Sequence, residues 1–270
     1  MSQLVRVLPE HLFELRAAST ASGGTALTTT AGLISIPFGS DYLSVTGRNF
    51  AEAVVVRWLL NPYLRIIYTT DLLTSPGVSD LSDEMQDGDD TDNNFLSWDT
   101  LANGHALYVG AEVPFRGCAV DIGTTPNAVA ASVLTIKYWN GGAWVDTANS
   151  EDTTSGGICL AVDGNETWTI ASAWKSASLV KTGDTLRTGD ILSVPLYWTR
   201  WEVDKAMTAN MDIIQLRALN RSTAYAEYIE GQTVEVGLQD RRVACIEALT
   251  NAGTANLVVN VGAQAADVFE

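Results

Sequence analysis

The stretch Ser132–Asp146, S-V-L-T-I-K-Y-W-N-G-G-A-W-V-D, decides the fold class. Apolar and polar residues alternate through its first half, pause at Asn140-Gly141-Gly142, and resume at Trp144 and Val145. An extended strand turns successive side chains to opposite faces, so Leu134, Ile136 and Tyr138 share one face and Thr135, Lys137 and Trp139 the other. Asn-Gly and Gly-Gly supply the positive backbone angles that a tight hairpin turn requires. The stretch therefore reads as two antiparallel strands, and the fold class follows from how often that pattern recurs.

It recurs along most of the 270 residues. Between residues 106 and 204 the expected strands are 106–110, 117–122, 133–139, 144–146, 158–162, 166–170 and 197–203, with a hairpin turn at Asp163-Gly164-Asn165. Spacings of this size with turn clusters between them are those of a two-sheet antiparallel domain. Strand signals also fill 33–38, 42–45, 53–60 and 64–69, and return at 232–236, 242–249 and 256–261. The valines of 53–60 favour a strand where the period alone leaves a helix open. A helix is expected over Met211 to Tyr225, and one helical turn near Leu81 to Met85. The reading is an all-β chain, an antiparallel β-sandwich of jelly-roll or Ig-like type in two domains. Residues 1–32 form an extended N-terminal arm, because 17–32 is rich in small Ser, Thr, Gly and Ala and buries little. Residues 33–100 plus 205–270 form one β-rich domain, and 106–204 a Trp-rich sandwich inserted in it.

Charge narrows the partners. Thirty-two acidic residues face 16 basic ones, a net of −16, so the chain lacks the clustered Lys and Arg that displace counterions from nucleic-acid phosphates. No nucleic acid is expected as a partner. No run approaches the roughly 18 apolar residues of a membrane span, and the N-terminus, M-S-Q-L-V-R, has no signal-peptide pattern, so folding in a cytoplasm is expected. Cys118, Cys159 and Cys245 are an odd number without C-x-x-C spacing and read as buried, inert thiols.

Two constellations invite a functional reading. Asp87, Asp89, Asp90 and Asp92, with Asn93 and Asn94, alternate hard oxygens as a calcium loop does. The match fails at the sixth position, Asp92 in place of Gly, and at the twelfth, Trp98 in place of Glu, so a solvated acidic loop is the preferred reading and no cofactor or metal is expected. The loop is long for a compact domain, about 20 residues from Ser79 to Trp98, so it is expected to be either functional or packed against a partner. The second constellation is the tryptophans, of which Trp139, Trp144, Trp198 and Trp201 are the candidates for an interface or for stacking on sugar rings. Trp198 and Trp201 stand three apart on one strand and must face opposite ways, so at least one is core or interface. Packing is preferred over a glycan platform because a buried indole contributes so much area. His11 and His105 are the only histidines, and no G-x-S-x-G, H-E-x-x-H or phosphate loop is present, so no enzymatic activity is expected.

Four segments, L-Y-V-G-A-E-V-P-F-R-G (107–117), L-T-I-K-Y-W-N-G-G-A-W (134–144), D-G-N-E-T-W-T-I (163–170) and L-Y-W-T-R-W-E-V (196–203), together resemble structural proteins of tailed-bacteriophage virions. The resemblance covers about 100 of the 270 residues. It implies a β-sandwich that decorates, cements or connects parts of the virion, most simply a capsid decoration or cement protein forming a closed symmetric homo-oligomer. The implied partners are further copies of itself and other virion proteins such as the major capsid protein. A neck or tail component is the nearest alternative, and a glycan-binding module that recognises a host receptor is the alternative from another class. The family has no shared catalytic residues to carry over.

Overall fold

The computed structural model describes residues 14–17, 24–36, 40, 42–51, 54–74, 78–87, 89, 91, 93–179, 194–221, 226–238 and 243–263. Among them are β1 (Glu14–Ala17), β2 (Thr25–Leu27), β3 (Gly32–Ser35), β4 (Tyr42–Arg48), β5 (Val56–Pro62), β6 (Arg65–Thr69), β7 (Val78–Asp80), β8 (Phe95–Leu96), β9 (Ala106–Ala111) and β10 (Phe115–Ile122). The second half contributes β11 (Leu134–Trp139), β12 (Trp144–Asp146), β13 (Ser150–Glu151), β14 (Gly164–Thr167), β15 (Tyr197–Val203), β16 (Met211–Asn220), β17 (Ala226–Tyr228), β18 (Thr233–Gly237), β19 (Val243–Thr250) and β20 (Ala255–Ala263). Helical structure among the described residues is limited to two 3-10 turns, Glu84–Gln86 and Leu101–Asn103. The protein is all-β, with four antiparallel sheets.

The chain divides into two compact units, 1–58 with 226–270, and 59–225. The sequence-based boundaries stood instead at 100–106 and 204–205. The difference comes from β6, which pairs with β9, and from β16, which pairs with β10 and carries β8 on its other edge, so all three belong with the Trp-rich strands.

The first unit holds a sheet ordered β1-β20-β4-β18, with β2 also on β20, and a sheet ordered β17-β5-β19-β3, in which β5 belongs to this unit as far as Trp58. Period-two burial is clear in β4, where Leu43 and Val45 are buried and Tyr42 and Ser44 only half so. The expected arm is here partly sheet. Glu14–Ala17 pairs with β20 from Ala263 to Asn260, Thr25–Leu27 pairs with the same strand at Leu257 to Ala255, and Leu27 is buried. Small Thr and Ala residues suit a strand laid against a neighbour's backbone, which composition alone cannot tell from a linker. The rest of the arm, 1–13 and 18–23, lies outside the described residues.

The second unit is a β-sandwich. One sheet is ordered β12-β11-β15-β9-β6-β7 and the other β13-β14-β10-β16-β8. Between them lies one core: Leu134, Ile136 and Trp201 from the first sheet meet Phe115, Val120 and Leu216 from the second. Trp98, Met85, Trp168 and Trp174 fill the same space from connecting segments. The hairpin Ser132–Asp146 folds as its alternation requires, with Trp139 paired to Trp144 and Asn140 Oδ1 accepting the N–H groups of Gly142 and Ala143, both at 2.9 Å.

Three local expectations are corrected. Met211 to Asn220 is strand, not helix. A β-bulge shifts its register against β10 between Ile213 and Gln215, so the core-facing residues are Met211, Ile213, Leu216 and Ala218, a spacing that imitates a helical face. Residues 158–162 make turns rather than a strand. Gly156 and Gly157 (φ +59° and +77°) and Leu160 (φ +52°) break the extended run, and Cys159 and Leu160 drop into the core. Gly164 and Asn165 lie within β14 rather than in a turn, where a side chain on Gly164 would strike the Asp152 carbonyl.

Candidate functional site

The aromatic candidates gather on the six-stranded sheet. Trp198 and Trp201 on β15 are both fully buried, on opposite faces: Trp201 in the core between the sheets, Trp198 in a second cluster with Ile67, Tyr108, Leu179 and Leu196. Trp201 Nε1 donates to Thr199 Oγ1 at 3.1 Å. Trp198 Nε1 has no hydrogen-bond partner among the described residues. Trp198 stands across the ladder from Gly110, which leaves room for the indole.

Trp139 and Trp144 share that second face at the hairpin end. Their rings meet edge-on, with centroids 5.5 Å apart, and Tyr108 lies 5.9 Å from Trp144. The Arg200 guanidinium sits 4.9 Å over the Trp144 ring, a cation–π contact, and Glu202 binds both Arg200 and Lys137 at 2.7 Å. Trp139 is buried and Trp144 half-buried. The four candidates thus divide: Trp201 belongs to the core, Trp198 and Trp139 are enclosed on the second face, and Trp144 alone keeps substantial access to solvent. The chemistry of this face is aromatic packing locked by a Lys–Glu–Arg chain rather than a flat row of open rings.

In the acidic loop the described residues Asp87, Asp89, Thr91 and Asn93 are exposed, as expected of a solvated loop. Its flanks are packed: Met85 and Trp98 are buried, Gln86 Oε1 accepts the Leu64 N–H at 2.7 Å, and Asn94 N–H donates to Asp212 Oδ1 at 2.9 Å. Asp87 Oδ1 accepts the Asp89 N–H, and Asp89 Oδ1 accepts both the N–H and hydroxyl of Thr91, which holds the Asp89 carboxyl below its usual range. These two oxygens are spent on their own backbone turns. Asp90 and Asp92 lie outside the described residues. No group of three or more His, Cys, Asp or Glu side chains among the described residues is placed to hold a metal ion.

His105 contacts the Tyr68 hydroxyl at 3.1 Å through Nδ1, and burial raises the Tyr68 phenol above its usual range. His11 lies outside the described residues. All three cysteines are buried, and burial pushes the Cys159 thiol up to about 11 and Cys118 well above the ordinary value.

Buried titratable side chains, Glu166, Asp212 and Glu247 among them, carry no signal in the sequence. Glu166 on β14 is fully enclosed, and burial raises its carboxyl to about 7 against the opposing hydrogen bonds from Thr153 and Asn149. In sequence it is an ordinary glutamate beside a turn signal, D-G-N-E, and only its placement on an inner strand buries it.

Compared with protein-family models, curated proteins and solved structures, the chain matches none.

Proposed function

We propose that the protein is a non-enzymatic structural component of a bacteriophage virion, a capsid decoration or cement protein that stabilises the particle through contacts with itself and the major capsid protein. The observation that carries this reading is the use of the aromatic residues. The segments that resemble virion proteins fall largely on neighbouring strands, β12, β11, β15 and β9, and their indoles serve packing. That arrangement suits a rigid sandwich that presents its edges and loops to neighbouring proteins. The acidic, self-repelling charge fits a protein that is soluble until it meets its particle.

Cryo-EM of particles carrying a labelled copy tests the proposal. The expected result is regular density at symmetric positions on the capsid. Density confined to the neck or tail favours the connector alternative, and no density on particles sinks both.

A second reading rests on Trp144. Its half-exposed ring, backed by Arg200 and Tyr108, is the one indole of the four able to stack on a sugar, so host-glycan binding is the rival. Saturable binding on a glycan array that Trp144→Ala abolishes favours it.

A further inference from the structure

β14 is an inner strand of the five-stranded sheet, and Glu166 lies between two neighbours, paired with Cys118 on β10 and with Glu151 on β13. Its Oε1 accepts the Thr153 hydroxyl at 2.6 Å and its Oε2 accepts from Asn149 Nδ2 at 2.8 Å. Asn149 and Thr153 bracket β13, so one carboxyl holds both ends of a two-residue edge strand. Thr153 extends the tie. Its carbonyl accepts the N–H groups of Ala161 (3.0 Å) and Val162 (3.2 Å), and its Oγ1 accepts that of Leu160 at 3.3 Å.

The surroundings of the carboxyl are poor in positive charge. It meets the Cys118 thiol from β10, Glu151 on β13, Asp152 just beyond it, and Cys159 from the loop, which in turn feels Asp204 after β15. A carboxylate ionised there is dry, and its charged neighbours are acids. Parting of the edge strand brings it water, at the cost of the short ladder Ser150–Thr167 and Glu151–Glu166.

We propose that Glu166 is a proton-operated latch for residues 149–162: protonated, it stays buried with β13 and the following loop closed over it, and ionised, its demand for water lets them part. The closed state keeps the proton to about 7, whereas a solvated glutamate releases it near 4.5. Closure is therefore favoured most at low pH and weakened as pH rises between those values and up through 7.

Hydrogen exchange on the full chain, corrected for intrinsic rates, tests the latch. Protection of the Asp152, Leu160, Ala161 and Val162 amides should fall about tenfold between about pH 6 and pH 8, relative to amides of β9 and β15. In Glu166→Gln, which cannot ionise, that fall should vanish. Thr153→Val is the second variant, since it keeps the carboxyl but removes a donor that favours its charge, and the transition should move to higher pH. Protection that ignores pH in the wild type, the same fall in Glu166→Gln, or an unmoved transition in Thr153→Val overturns the latch.

Discussion

The Trp198 indole lies so close to Gly110 that a methyl group at position 110 would meet its Cε3 atom at 2.5 Å. The two residues are direct partners across the β15–β9 ladder, and the missing side chain on one is the space filled by the other. Gly110→Ala should therefore destabilise the second unit by about 1–3 kcal/mol through overpacking. Chemical denaturation checks this, and a neutral Gly110→Ala would show that the indole has another place to go.

Truncating the tryptophans should rank them by enclosure. Trp201→Ala and Trp198→Ala each empty a fully buried site and should cost about 3–5 kcal/mol. Trp144→Ala, half-exposed, should cost visibly less. Thermal melts of the variants give the order, and a Trp144 variant as damaged as Trp201→Ala would contradict it.

The pH dependence has a definite sign. The Glu166 carboxyl is raised in the folded chain, so its contribution to stability is full below the solvated value near 4.5 and is lost as pH rises to about 7. The loss is at most about 3 kcal/mol for a shift of this size. Glu166→Gln should flatten the stability profile between about pH 5 and pH 8 and exceed the wild type at the alkaline end. Urea titrations across that range read it directly, and parallel profiles for the two proteins would count against the assignment.

Deleting residues 1–30 should destabilise the first unit rather than trim a tail, since β1 and β2 both pair with β20 and Leu27 is buried. The deletion strips β20 of paired backbone and opens a sheet edge. A melt of the truncated chain is expected to show the transition of this unit at a lower temperature, and an unchanged one would mean the pairing contributes little.

The hairpin turn is a local test. Asn140→Ala removes an acceptor that holds two backbone N–H groups and should cost about 1–2 kcal/mol. Amide shifts confined to residues 139–144 are the expected signature.

Much of the strand content was legible because period-two alternation is a local property. β11, β12 and β15 run within a residue of where the pattern placed them, and the opposite facing of Trp198 and Trp201 follows from their spacing alone. What the sequence by itself determined is which residues share a face in these strands and where the hairpin at Asn140 turns. What only the tertiary structure decided is everything that depends on a distant partner. The bulge at Ile214 disguised β16 as a helix because a register shift is set by the strand alongside, not by the residues within. The N-terminal stretch became sheet because β20, more than 200 residues away in the chain, offers it an edge. Glu166 became a buried acid because β10 and β13 close on either side of it, and burial, unlike alternation, is never a property of one strand alone.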